Sequence, residues 1–416
     1  MSERVAQIVE IDQPQGAARI DSLNARAFSP ELRFILLAVR VWGGAEDPEL
    51  LRAAAGAGLD WEVVVQGLTR HGLLWLTAPL LAAEDIVPAP AAAALRQMNA
   101  ANAVATLQRI DEAVRVARAF EQAGIRFVMI KGVPLSVQLY RDPARRAGRD
   151  LDFVIERGKA GQVDAILTGL GYFRPDNGVP DAAGTAPIVK EIGYLHSRSR
   201  ILVEVHDRLT DNAELLSWDC ETLWADRETV PVGPYAMPTM ARHRLPVYLC
   251  VHGAKHGWAR LMWLHDLAVL IDTPEAAERA LTAAAALGLD GAMLHGFARL
   301  HAWFGHSIPP AILARAHASR QVRLLDRLAA RFHRDAGWHE QPGRHSWRRF
   351  WQGSVLSRSI GYAIKPDRRY WRRQLALELF SPADRQLITL PAGLAWLYPV
   401  LRPVGWLARR WKLRRD

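Results

Sequence analysis

The chain has 416 residues, half of them hydrophobic, enough length and apolar content for two or three domains with real cores, which excludes a disordered protein. Its formal net charge of +10 is unevenly placed: residues 341–374 carry nine basic side chains against one acidic, residues 402–416 carry six against one, and everything before residue 341 sums to −2. The basicity therefore belongs to the C-terminal quarter, which also holds six of the fifteen tryptophans, and says little about the chemistry of the rest.

After an N-terminal arm, residues 1–30, apolar residues recur at three- and four-residue spacing through ELRFILLAVRVW, WEVVVQGLTRHGLLWLTAPLLAA and the run from Ala91 to Ala123, so residues 31–125 read as a helical region. Gly124 ends that run, and IRFVMI follows as a buried strand. A helix from Pro134 to Tyr140, a strand at DLDFVIE and a helix from Gly161 to Leu170 come next. IVKEIGYLHS and RILVEVHDRL then face each other across Arg198-Ser199 as an antiparallel hairpin. Residues 126–238 are thus expected to form an α/β core. From Ala241 the helical period returns in LPVYLCVHGAKHGWARLMWLHDLAVLI and continues to about residue 335, followed by the basic, tryptophan-rich region 336–416. The fold class this predicts is α+β, a small mixed sheet flanked by N-terminal and C-terminal helical regions. The two cysteines, Cys220 and Cys250, lie outside any metal-ligand pattern, and MSERVAQIVEIDQPQG lacks the basic and apolar segments of a secretory leader, so a cytoplasmic location is expected.

Three features carry chemistry. Asp150 and Asp152 stand two apart on a strand, so they leave the same face of a sheet, where two like charges either coordinate a divalent cation in an exposed cleft or sit solvated at a strand edge. Lys131-Gly132 ends a strand and opens a helix, a turn that offers free amides and a positive helix end to an anion, or is simply a strand-to-helix connection. Glu204 interrupts an otherwise apolar strand between Val203 and Val205, where a metal ion would partner it unless it faces away from the core.

In their order along the chain, IKGVPL, RRAGRDLDFVIE, VEVH and LCVHGAKHGWARLMWLHDLAVLI resemble the nucleotidyltransferases of the DNA polymerase beta superfamily, in particular an uncharacterised bacterial branch. The resemblance covers roughly residues 30 to 300. It implies a small mixed sheet, a helical region closing over the site, and transfer of a nucleoside monophosphate from a nucleoside triphosphate to an unidentified acceptor: a small molecule, peptide, protein or RNA. It also implies Mg²⁺ or Mn²⁺ held by Asp150, Asp152 and Glu204. Val133 stands where a second small residue usually follows the glycine. This raises the alternative of a catalytically weak nucleotide-binding or partner-docking module at the membrane surface.

His252 and His256, four apart, fall on one face of a helix, which is also a zinc-binding spacing. Gly253 occupies the place of the glutamate that a zinc protease needs, so a structural or substrate-contacting role is the stronger reading, with His252 and Lys255 as candidate nucleotide phosphate contacts. The uncharged run from Leu387 to Leu401, broken by Pro391 and Pro399, is too short to span a bilayer. Followed by ARRWKLRR, residues 385–416 suit either a peripheral contact with the anionic inner face of the membrane or a docked terminal helix with a solvated basic end.

Overall fold

The computed structural model describes residues 28–83, 86–146, 148, 150–175, 190–331, 347–380, 390, 392–398 and 400–401. The architecture is α+β. Helix α1 (Pro30–Trp42) starts on Ser29, whose hydroxyl accepts a hydrogen bond from the Leu32 amide, and is followed by α2 (Pro48–Ala55), α3 (Trp61–His71) and α4 (Leu74–Ala83). The long α5 (Ala89–Gln122) carries Pro90 in its first turn, where a missing amide costs nothing, and delivers the chain to β1 (Phe127–Met129).

Then come α6 (Gly132–Tyr140), β2 (Asp150–Ile155), α7 (Ala160–Gly169), β3 (Tyr172–Phe173), β4 (Glu191–His196) and β5 (Leu202–His206). A short α8 (Cys220–Ala225) leads to a hairpin of β6 (Glu228–Val232) and β7 (Tyr235–Thr239). The seven strands form one sheet in the order β3-β4-β5-β2-β1-β7-β6, mixed because β2 pairs β5 and β1 pairs β7 in parallel while the other neighbours are antiparallel.

The two sheet faces are covered differently, and the alternation along β2 and β5 decides how. Leu151, Phe153 and Ile155 share a core with Val203 and Val205, under the C-terminal half of α5 and under α7. Phe120, Phe127 and Phe153 meet there edge to face, with ring centroids 5.5–5.8 Å apart. On the other face, Val128, Ile130 and Val154 join a larger core that takes in residues of α1, α4, α9 (Leu245–Lys255), α10 (Leu261–Leu270), α11 (Pro274–Ala286) and α12 (Asp290–Phe304). Helices from both ends of the described chain thus meet over one side of the sheet: Arg40 of α1 donates to the carbonyl oxygens of Trp303 and Ala302 at 2.9 and 3.2 Å.

The segment read as one helical stretch from Leu245 to Ile271 is instead two helices. His256 caps α9, and Gly257 and Trp258 adopt positive φ, +61° and +56°, before α10 begins. The bend drives the Trp258 indole into the core between α9 and α12. A Cβ at Gly253 would lie 2.2 Å from this ring, and one at Gly296 would lie 3.2 Å from it. Left-handed backbone at a bulky residue is strained, and burial of the ring between two glycines is what holds it there.

Candidate active site

Register builds the site. Across the parallel β2–β5 pair, Asp150 is opposite Leu202, Asp152 opposite Glu204 and Val154 opposite His206. Since side chains alternate every residue, Asp150, Asp152, Glu204 and His206 all leave the face turned toward the helices. One ligand atom each from Asp152, Glu204 and His206 lie within 4.8 Å of one another. His206 Nε2 is 3.1 Å from Asp152 Oδ1 and 3.7 Å from Glu204 Oε2. Asp150 stands one pleat along on the same face, outside this trio.

The site is more enclosed than the exposed cleft expected from the sequence, because Asp152 is fully buried. Its Oδ1 meets His206 and, at 3.4 Å, the Lys131 ammonium, whereas its Oδ2 has no hydrogen-bond partner among the described residues. A buried carboxylate oxygen left bare beside a second acid is costly unless a cation occupies the space. Two carboxylates, a neighbouring third and an imidazole nitrogen are a donor set that fits a divalent ion.

The electrostatics follow from the crowding. Burial would raise the Asp152 carboxyl, but Lys131 and His206 together outweigh it and hold the group below the usual carboxylate range. Glu204 goes the other way: burial, then Asp152, Asp150 and Glu191, push it up to about 7. Asp150 is raised as well, by burial and then by Asp152. Burial disfavours the charge on Lys131, yet Tyr248, Asp152 and Asp150 prevail and keep it above its ordinary value. One strongly ionised acid and one that takes a proton near neutrality therefore sit side by side.

Gly132 opens α6 at φ +65°, and a Cβ there would lie 3.3 Å from the Asp150 carbonyl oxygen. The glycine is thus required twice, by its left-handed backbone and by the close pass of β2. Lys131, the residue before the helix, has no acceptor for the amides of the first turn and leaves them uncapped by its side chain. Its ammonium is instead drawn into the carboxylate cluster.

Behind α6, a buried polar network fixes the loop that leads into β2. Ser136 Oγ donates to the Asp142 carbonyl and accepts from the Arg146 amide. The Arg146 guanidinium donates to Asp266 Oδ2 at 2.8 Å, and the Tyr140 hydroxyl donates to Asp266 Oδ1 at 2.8 Å. Arg146 and Asp266 are both buried. The acidic strand is thereby tied to α10 across the glycine turn.

The rings of His252 and His256 stay in contact across the end of α9, with centroids 4.9 Å apart, and both pack against Trp263. Burial, with Lys131 and His256 adding to it, holds His252 well below the ordinary imidazole range, as a neutral ring facing the site. The Lys255 ammonium is 2.7 Å from Asp211 Oδ2 in the loop after β5. Sequence reasoning did not single out His206, nor Glu191 behind it. The signal that could have found His206 is the one used for the aspartates: it stands two residues after Glu204 on a strand and so shares its face.

No curated protein and no solved structure matches the chain. A family model described as "Uncharacterised nucleotidyltransferase" matches residues 57–305, a span that contains the acidic strand, the glycine turn and the histidine segment alike. With more than half of its length inside that match, the chain belongs to this nucleotidyltransferase family.

Proposed function

We propose that this nucleotidyltransferase is metal-dependent, moves a nucleoside monophosphate from a nucleoside triphosphate to a hydroxyl or phosphate on an acceptor, and uses Asp150, Asp152 and Glu204 to do so. The observation that supports this most is the register of β2 and β5, which sets Asp152 beside Glu204 and leaves a buried carboxylate oxygen bare. Mg²⁺ or Mn²⁺, when bound, would neutralise triphosphate charge and ease attack at the α-phosphorus. Asp150, Asp152 and Glu204 would hold the cation. Glu204, which changes protonation near neutral pH, is suited to accept the acceptor's proton.

Lys131 and the opening amides of α6 would bind phosphate oxygens, and neutral His252 can exchange a hydrogen bond with the nucleotide without adding charge. For Lys255, the ion pair with Asp211 supports a role in fixing the loop after β5 to α9 rather than a direct phosphate contact. Val133, which motivates the reading of a nucleotide binder with little turnover, is buried and packs into the core shared with β1 and α5. Packing accounts for a valine there and supports an active turn.

The test is incubation of the full chain with α-labelled nucleoside triphosphates, Mg²⁺ or Mn²⁺, and separate acceptor pools of small molecules, peptides, proteins and RNA. Label should pass to one pool with release of pyrophosphate, and Asp152→Asn should abolish it. Metal-dependent nucleotide binding without pyrophosphate release from any pool would favour the docking module instead.

A second observation supports a surface contact at the C-terminal end. Leu394, Trp396 and Val400 are exposed, Trp396 at 65 % and Val400 at 68 %, directly before residues 402–416, which carry +5 and lie outside the described residues. No helix among the described residues is long and apolar enough to cross a membrane. We propose that an anionic membrane surface is what this segment meets, with the apolar side chains inserted at the interface and the basic ones among headgroups.

A further inference from the structure

His206 closes β5 with its ring buried, and both ring nitrogens face carboxylates. Nε2 points into the space between Asp152 and Glu204, at 3.1 and 3.7 Å. Nδ1 makes no hydrogen bond and lies 3.4 Å from Oε2 of Glu191, the residue that pairs with His206 across the antiparallel β4–β5 ladder. Glu191 is itself fixed by Lys190, whose ammonium is 2.6 Å away.

An imidazole that ligates a metal through one nitrogen carries its proton on the other, so only that other nitrogen can donate. With the proton on Nε2, the bare Nδ1 lone pair would face the Glu191 carboxylate, and the two would repel. With the proton on Nδ1, Glu191 gains a donor, and the Nε2 lone pair faces Asp152 Oδ1 at 3.1 Å, an arrangement that needs a cation between them just as the unpartnered Asp152 Oδ2 does. The second arrangement is that of metal-bound histidines, whose far N–H is held by a carboxylate that fixes tautomer and ring orientation.

We propose that His206 ligates the metal through Nε2, with Glu191 as its supporting carboxylate, so that the cation shared with Asp152 and Glu204 sits among nitrogen as well as oxygen donors and the site selects Mn²⁺ over Mg²⁺. The inference rests on the metal-dependent reading above. Mg²⁺ is a hard ion that takes oxygen ligands, whereas an imidazole in the coordination sphere favours first-row transition ions. Glu191 and His206 stand on adjacent strands, so the sheet itself sets the distance between support and ligand.

The test uses the full chain stripped of metal and titrated with Mn²⁺ alone, followed by electron paramagnetic resonance. Bound Mn²⁺ should show ¹⁴N coupling from one imidazole in the wild type. His206→Gln should lose the coupling and bind Mn²⁺ about 10- to 100-fold more weakly, and Glu191→Ala should keep the coupling but weaken binding about tenfold. Displacing half of the Mn²⁺ should take more than a tenfold excess of Mg²⁺, as a rough bound. Stoichiometric Mn²⁺ binding without nitrogen coupling, or displacement by Mg²⁺ at parity, would overturn the proposal and leave the metal-dependent reading standing. Absence of any stoichiometric Mn²⁺ binding would overturn both. His252→Gln should keep the coupling, which assigns the nitrogen to His206 even if His206→Gln fails to fold.

Discussion

Asp152 answers to two demands at once, since it is buried among groups that stabilise its charge and it presents a bare oxygen to the site. Asp152→Asn should lower nucleotidyl transfer by at least about 100-fold, because a metal-bound carboxylate is worth several kcal/mol in such reactions. Its burial adds a second expectation. Lys131 and His206 lose their anionic partner, so urea unfolding should show a loss of about 1–3 kcal/mol.

Glu204 predicts the opposite for stability. Its carboxyl is raised to about 7 in the fold, so ionising it between its ordinary range and neutrality costs the native state, and that cost is fully present above pH 7. Metal-free Glu204→Gln should therefore melt higher than the parent at pH 8, by roughly 1 kcal/mol after screening by water, with the gap closing at pH 4. A parent that melts higher at pH 8 would contradict this. The acids were legible in the sequence because a two-residue period fixes which side chains share a strand face. His206 obeys the same period but escaped notice. That β2 would lie beside β5 in parallel, one register step from a different trio, is a tertiary fact that no local pattern encodes.

Among the elements, the junction of α9 and α10 departs most from its sequence pattern. Apolar periodicity runs on from Leu245 to Ile271 with no proline after Pro246 in its first turn, so nothing in the period announces a break. The break comes from Gly257 and from a tryptophan whose burial between Gly253 and Gly296 offsets its left-handed backbone. Gly253→Ala puts a methyl group into that indole. The expected cost is about 3 kcal/mol, read as a lower urea midpoint. The site should suffer with it, since His252 directly precedes the glycine. The β6–β7 hairpin was also missed, because Pro231 and Pro238 interrupt both strands and speak against sheet. Both prolines fall where the ladder tolerates them, paired with Ala236 and Thr229 respectively. Asp266 joins α10 to the loop before β2, and Asp266→Ala should destabilise by about 3–5 kcal/mol, because it takes the carboxylate away from a buried guanidinium.

At the scale of the molecule, the α+β class was readable because helical and strand periods occupy separate stretches of the chain. The packing of the N-terminal helices against α12 was not, since it joins residues more than 250 positions apart. The C-terminal end makes its own prediction. A chain ending at Asp384 should keep nucleotide chemistry and lose most of its affinity for anionic vesicles, and full-chain binding should weaken as salt rises, because the surface potential is screened over about 8 Å at physiological ionic strength. Equal sedimentation of both forms with vesicles would refute the membrane contact, and unfolding of the shortened chain would identify the tail as a docked helix.

The bond from Arg40 to the Trp303 carbonyl also sets a timetable for birth of the protein. It spans 263 residues, and a ribosome adding roughly 5–20 residues per second needs on the order of 13–50 seconds to cross that interval. Throughout that wait α1 can pack only on the helices that follow it at once, as Phe34 does edge to face on Trp61 of α3, while the carbonyls that Arg40 will bond have not been made. The side of α1 that meets α12 therefore stays unfinished until residues 302 and 303 have been made, so the N-terminal helices cannot complete their packing early in synthesis.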